Sequence, residues 1–322
     1  MGEVIRTVTG DIAPEAAGVT YCHEHLVLDS PLIELKFPHI HLNDDDKAAA
    51  EIKTCANVGV STMVDAMPCS AGRSASRLAS LATTTGMNII AATGLHHDRY
   101  YGPTHWTNST SAEALADLFI ADVVQGIDQF DYTGPTIIRT DHRAGVIKVA
   151  TSGPRLDVRD ERILTAVALT HGATGAPVLT HCENGEGGVE QVDFLTTRGV
   201  PPSSIILSHV DKDGNIDRLA DLSATGAYVE FDQSLRQADS PHAPSVNLIV
   251  AAVEMGMGSR IVLGTDGARR SLWAAWGGER GLAWLYSHYS ALLVEAGMSA
   301  DLVEKFFVKN PAAALRFEPV NA

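Results

Sequence analysis

Residues 21–26 read YCHEHL, and the fold turns on whether this stretch is helix or strand. The helical zinc motif spaces two histidines four residues apart around a glutamate, whereas His23 and His25 stand only two apart. In a strand the side-chain period of two sets His23 and His25 on one face and sends Cys22, Glu24 and Leu26 to the other. The expectation is a pair of imidazoles on a strand, with Glu24 as spacing. Cys22, and Cys182 beside His181, should turn toward the helices and ligate nothing.

Seven further short β-branched runs follow: 60–66, 88–94, 144–150, 177–183, 205–211, 227–233 and 260–267. With 19–25 they make eight. Between them lie helix-like stretches at 44–58, 74–85, 111–129, 158–171, 190–198, 216–223 and 245–255. Alternating strands and helices imply a parallel sheet, and eight such units imply an α/β fold closed into a single (β/α)8 TIM barrel over residues 1–322. An open doubly wound sheet is the alternative. It would carry a glycine-rich first turn; none follows the first run, and ENGEGG at 183–188 lacks the spacing of a nucleotide-binding loop. The irregular segment 94–110 holds three histidines, two tyrosines and a tryptophan, which suits a pocket wall or lid.

The 322 residues are 45% apolar, enough for a large core, and carry a formal net charge of −15 that repels phosphate backbones and anionic lipid. Nucleic acid and membrane are therefore poor partners, and a small-molecule substrate is expected. A homodimer is one assembly the sequence leaves open. MGEVIRTVTGD has no basic flank ahead of an apolar run, Arg6 stands where a myristoylation signal wants Ser or Thr, and no apolar run approaches a bilayer span. The expected location is the cytoplasm. The four cysteines form no C-x-x-C pair, so they read as buried thiols.

In such barrels the chemistry lies at the carboxyl ends of the strands. There the sequence places His23, His25, Lys148, His181, His209 and Asp266. Imidazoles and a carboxylate at matching strand ends suit a hard or borderline divalent ion. Lys148 does not suit it as an ammonium, since cations repel it and burial opposes its charge. Carbon dioxide added as a carbamate would reverse the charge and supply two oxygens.

The order His-x-His, Lys, His, His, Asp resembles the phosphotriesterase family of the amidohydrolase superfamily. TVTGDIAPEAAGVTYCHEHL at 7–26, AGVIKVATSG at 144–153, THCENG at 180–185, LSHVD at 207–211, LGTDGARR at 263–270 and NPAAAL at 310–315 carry the likeness. The resemblance implies two divalent ions, zinc first among zinc, manganese, cobalt and iron. His23, His25 and Asp266 would hold one and His181 and His209 the other. Carboxylated Lys148 and a hydroxide would bridge them, with Asp266 accepting the hydroxide's proton. One departure is Gln233 after Asp232, where phosphotriesterases tend to have histidine; glutamine relays no proton.

Residues 92–106 and 264–273 resemble the branch that opens sugar lactones, phosphorylated furanose lactones included. The implied activity is a metal-dependent lactonase. Phosphotriester or carboxyl-ester hydrolysis is the alternative, and a metal-retaining binding protein the non-enzymatic one. Arg269, Arg270, Arg236, Tyr100 and His97 are the candidate substrate contacts, because arginine matches phosphate or carboxylate in bidentate fashion.

Overall fold

The computed structural model describes residues 2–319. A short antiparallel hairpin, β1 (Ile5–Thr7) and β2 (Gly10–Ile12), precedes the barrel. Eight parallel strands follow: β3 (Val19–Glu24), β4 (Val60–Asp65), β5 (Asn88–Leu95), β6 (Ala144–Ala150), β7 (Val178–His181), β8 (Ile205–Ser208), β9 (Tyr228–Phe231) and β10 (Ile261–Leu263). They pair in chain order from β3 to β10 and form a nearly closed barrel. Around it run α1 (Pro31–Lys36), α2 (Asp45–Asn57), α3 (Ala75–Thr85), α4 (Ala112–Val124), α5 (Val158–Thr174), α6 (Gly188–Thr196), α7 (Ile216–Thr225), α8 (Pro244–Glu254), α9 (Ser290–Glu295), α10 (Ala300–Phe307) and α11 (Lys309–Leu315). No helix among the described residues is long and apolar enough to cross a membrane.

The helices start where side chains satisfy their first amides: Asp44 accepts from Lys47 N, Ser111 from Ala114 N, and Asp157 from Asp160 N in a capping box. The helix expected over 111–129 stops at Val124. Gly126, at φ +135°, turns the chain so tightly that a Cβ there would sit 1.8 Å from Thr140 O. Residues beyond it make an excursion clasped by the Asp128–Arg139 bridge. Buried Arg73 anchors it by donating to Asp131 and Asp122.

The strands separate two apolar layers. Outside lies the large core shared with the helices. Inside, Val64, Ala66, Ile90, Ala92, Val146, Leu179, Ile206, Tyr228 and Val262 fill the barrel, and Ile5 of the hairpin packs with them. Cys22 belongs to this inner layer, not to the helix side as strict alternation predicts. The cause is a bulge: β3 pairs Tyr21 with Met63 and next Glu24 with Asp65, so three steps on β3 face two on β4. The extra residue resets the alternation. Cys182 does lie on the helix side, its Sγ 3.7 Å from Gln191 Nε2 of α6.

The barrel closes without a regular ladder between its first and last strands. Thr265 N and Asp266 N both donate to His23 O, at 3.2 and 3.0 Å. Gly264 permits this approach, since a Cβ there would lie 2.8 Å from His23 N. Here the strand-to-site geometry is set.

Candidate metal centre

The carboxyl ends of the barrel strands bring His23, His25, Lys148, His181, His209 and Asp266 to the floor of one 410 Å³ cavity or directly beneath it. Lys148 is fully buried and points inward, its Nζ 3.2 Å from His23 Nε2, so it does not snorkel to a helix. Asp266 Oδ1 is 3.4 Å from His25 Nε2 and 4.0 Å from His23 Nε2. His209 stacks 4.8 Å from His23 and 4.4 Å from His181, centroid to centroid. His209 and Asp266 adopt φ of +67° and +44°, conformations that non-glycine residues hold only when their surroundings enforce them.

Two sets of donor atoms come within 4.8 Å of one another: His23, His25 and Asp266, and His23, His209 and Asp232. The first is the grouping the resemblance implies. The second contains Asp232, which strand-end reasoning passed over although it follows β9 just as Asp266 follows β10. His181 instead uses Nε2 to meet Glu183 Oε2 at 2.7 Å, which leaves its other ring nitrogen for a ligand. Glu183 also accepts from Arg99 at 2.8 Å.

A carboxylate beneath the site sets the ring of His23. Its Nδ1 faces Glu230 Oε2 at 3.3 Å, and Ser208 Oγ donates to the same oxygen at 2.6 Å. This leaves Nε2 free toward Lys148 and Asp266, the arrangement by which carboxylates orient ligand histidines. Glu24, read as spacing, is also engaged: fully buried, it accepts from Thr265 N and Thr265 Oγ1.

Burial favours the neutral form of His23, His181 and His209, the form in which imidazoles ligate. It pushes His181 down to about 4 and holds His23 and His209 well below their ordinary value. Burial also brings the Lys148 ammonium down to about 8, against the pull of Glu230, Asp266 and Asp232. For Asp266 burial works upward, but Arg236, His209 and His25 overcome it and hold the carboxyl well below the usual range. Asp232 is raised to about 6 by burial and by Asp266.

These residues fit a divalent cation. His25 Nδ1 and His209 Nδ1 are buried without a hydrogen bond, although Asp232 Oδ2 lies 2.7 Å from His209 Nδ1, an approach too oblique to be one. Converging imidazoles and carboxylates with unused lone pairs make a ligand set for such an ion.

The substrate candidates divide. Arg236, Tyr100 and Arg269 line the cavity; Arg270 and His97 do not. The Arg270 guanidinium donates to His41 O at 2.6 Å and Asn43 Oδ1 at 3.0 Å and stacks on Trp276, so it braces the loop. The His97 ring accepts from Arg99 N at the start of a short turn, and it is His96 that faces the cavity. Arg99 also lines it, as do Lys212 and Gln233, which the sequence reading did not assign to substrate. Position decides each case.

The chain has relatives along nearly its whole length. A phospho-furanose lactonase of Mycoplasmopsis synoviae is 29% identical over 97% of this chain and 92% of its own length. The crystal structure of an amidohydrolase from Mycoplasma synoviae superposes with a TM-score of 0.92 at 28% identity, covering 99% of this chain and 94% of that one. A lactonase from Listeria monocytogenes gives 0.88 at 26% identity, covering 98% and 99%. The phosphotriesterase family pattern matches residues 3–315, and the chain belongs to that family.

Proposed function

We propose that this hydrolase opens the ring of a hydrophilic lactone bearing a phosphate or carboxylate, at a two-metal centre. The observation that carries the anionic substrate is the cavity's cationic rim. Lys212 and Arg269 are both exposed, both line the cavity, and neither has a carboxylate within ion-pair distance among the described residues. An anion on the substrate is the partner such a pair lacks. The lactone reading draws on the two relatives named lactonases.

His23, His25 and Asp266 would hold one ion, and His181 and His209, with Asp232 in reach of His209, the other. Divalent ions there supply Lewis acidity that polarises the ring carbonyl and acidifies the attacking water. Lys148 would contribute by chemistry open to a neutral amine: its nitrogen would bond the carbon of CO2 as one C–O π bond gives way to an oxyanion, a proton would leave to solvent, and an anionic carbamate would result. Burial favours that neutral amine. Asp266, held ionised by Arg236, accepts the water's proton as the acyl carbon is attacked. The acyl–oxygen bond of the ring then breaks, and the ring oxygen takes that proton from Asp266 to leave as a hydroxyl on the same molecule.

A panel of lactones with and without a 5-phosphate, followed by proton release, tests the reading. Phosphorylated 1,4-lactones should give the highest kcat/KM. Faster turnover of phosphotriesters or of simple carboxyl esters would replace it with the alternative.

A further inference from the structure

Glu24 stands between the two histidines of YCHEHL yet is absent from the cavity wall. It is a fully buried carboxyl group with no Lys, Arg or His within ion-pair distance among the described residues. Leaving an acid in that state is costly, so its partners matter. Those partners are Thr265 N at 2.9 Å and Thr265 Oγ1, both on the residue just before Asp266. The neighbouring carbonyl of His23 takes the amides of Thr265 and Asp266. Residues 23 and 24 thus grip both sides of the peptide that presents Asp266, at the one seam of the barrel without a ladder.

We propose that Glu24 is a positioning residue: it tethers Thr265 so that Asp266 is held in its left-handed conformation, 3.4 Å from His25 Nε2. The two histidines and the aspartate, from opposite sides of the seam, are thereby set as one ligand unit. Strand alternation sends Glu24 outward just where it can reach the neighbouring strand's exit, which is why the motif carries an acceptor between its histidines. The inference rests on the metal-centre reading above. Another buried glutamate, away from the metal centre, supplies a comparison. Glu51 of α2 accepts from Ala275 N at 2.8 Å and Leu282 N at 2.7 Å, bracing the same loop but far along it from Asp266.

The test compares metal retention against a competing chelator, together with kcat, KM and the melting temperature of metal-free protein, in wild type and four variants. Glu24→Gln keeps the shape but can offer only one acceptor oxygen. Thr265→Val removes the hydroxyl, Thr265→Ser keeps it, and Glu51→Gln loosens the loop elsewhere. Glu24→Gln and Thr265→Val should weaken metal retention about 10- to 100-fold and lower kcat, with KM changed less than about twofold. Thr265→Ser and Glu51→Gln should retain metal like wild type. If Glu24→Gln fails to fold, the Thr265→Val and Thr265→Ser pair decides. Variants that melt lower yet keep metal and kcat would reduce Glu24 to packing, and equal metal loss in Glu51→Gln would show that any loosening of the loop suffices. Wild type that retains no metal would remove the metal-centre reading, and this inference with it, before any variant is compared.

Discussion

The Arg236 guanidinium holds Asp266 by both its backbone and its side chain, donating to the carbonyl oxygen and, at 3.3 Å, to carboxylate Oδ2. It also donates to Thr265 O at 2.8 Å. Such a residue serves the reacting centre whatever the substrate carries. Arg236→Ala should cost about 1.5–3 kcal/mol of transition-state stabilisation, roughly 10- to 150-fold in kcat/KM. The loss should be equal on neutral and anionic lactones, and kinetics on a matched pair of substrates checks this.

Arg269 and Lys212 should behave in the opposite way. Alanine at either should lower kcat/KM for an anionic lactone by roughly 10-fold or more and leave its neutral counterpart nearly unchanged. Arg270→Ala should show no such discrimination, because that guanidinium is committed to His41 and Asn43. Equal losses on both lactones for Arg269→Ala would assign that residue to the loop instead.

Lys148→Ala should lose metal and activity together. A short carboxylic acid added to the assay should restore part of both if a carbamate is the lysine's contribution. Metal analysis of wild type loaded in the presence of bicarbonate should give about two ions per chain by the two-metal reading. A value near one with full activity rejects the second ion.

Cys22 underlies His23 within the barrel, so its substitutions test packing next to the site. Cys22→Ala should destabilise by about 1–2 kcal/mol, seen as a lower melting temperature, with metal content preserved. Cys22→Leu adds volume to a filled layer and should disturb His23, lowering metal retention as well as stability. Metal loss in a well-folded Cys22→Ala protein would mean that the thiol takes part in ligation.

The eight strands were legible because each is a short β-branched run between helical stretches, and their carboxyl ends named the cavity. What escaped depended on geometry that composition does not record. The bulge in β3 is one unpaired residue, invisible to a period-two reading, and it turned Cys22 inward. Asp232 is readable by the rule that finds Asp266, yet in the sequence it stands out only as the neighbour of Gln233. Arg269 and Arg270 are identical neighbours, and only the backbone decides which faces the cavity. The first hairpin was too short, three residues a strand, to leave a pattern.

The contact between Glu24 and Thr265 spans 241 residues of sequence, about three-quarters of the 322-residue chain. Bringing such distant segments together carries a large entropic cost that is met only when the intervening units have folded. A chain still emerging from the ribosome can present the two histidines of the first strand long before Asp266 exists. On the proposed metal-centre reading, the complete ligand set therefore matures with the last step of closure, and tight metal capture would mark a finished molecule.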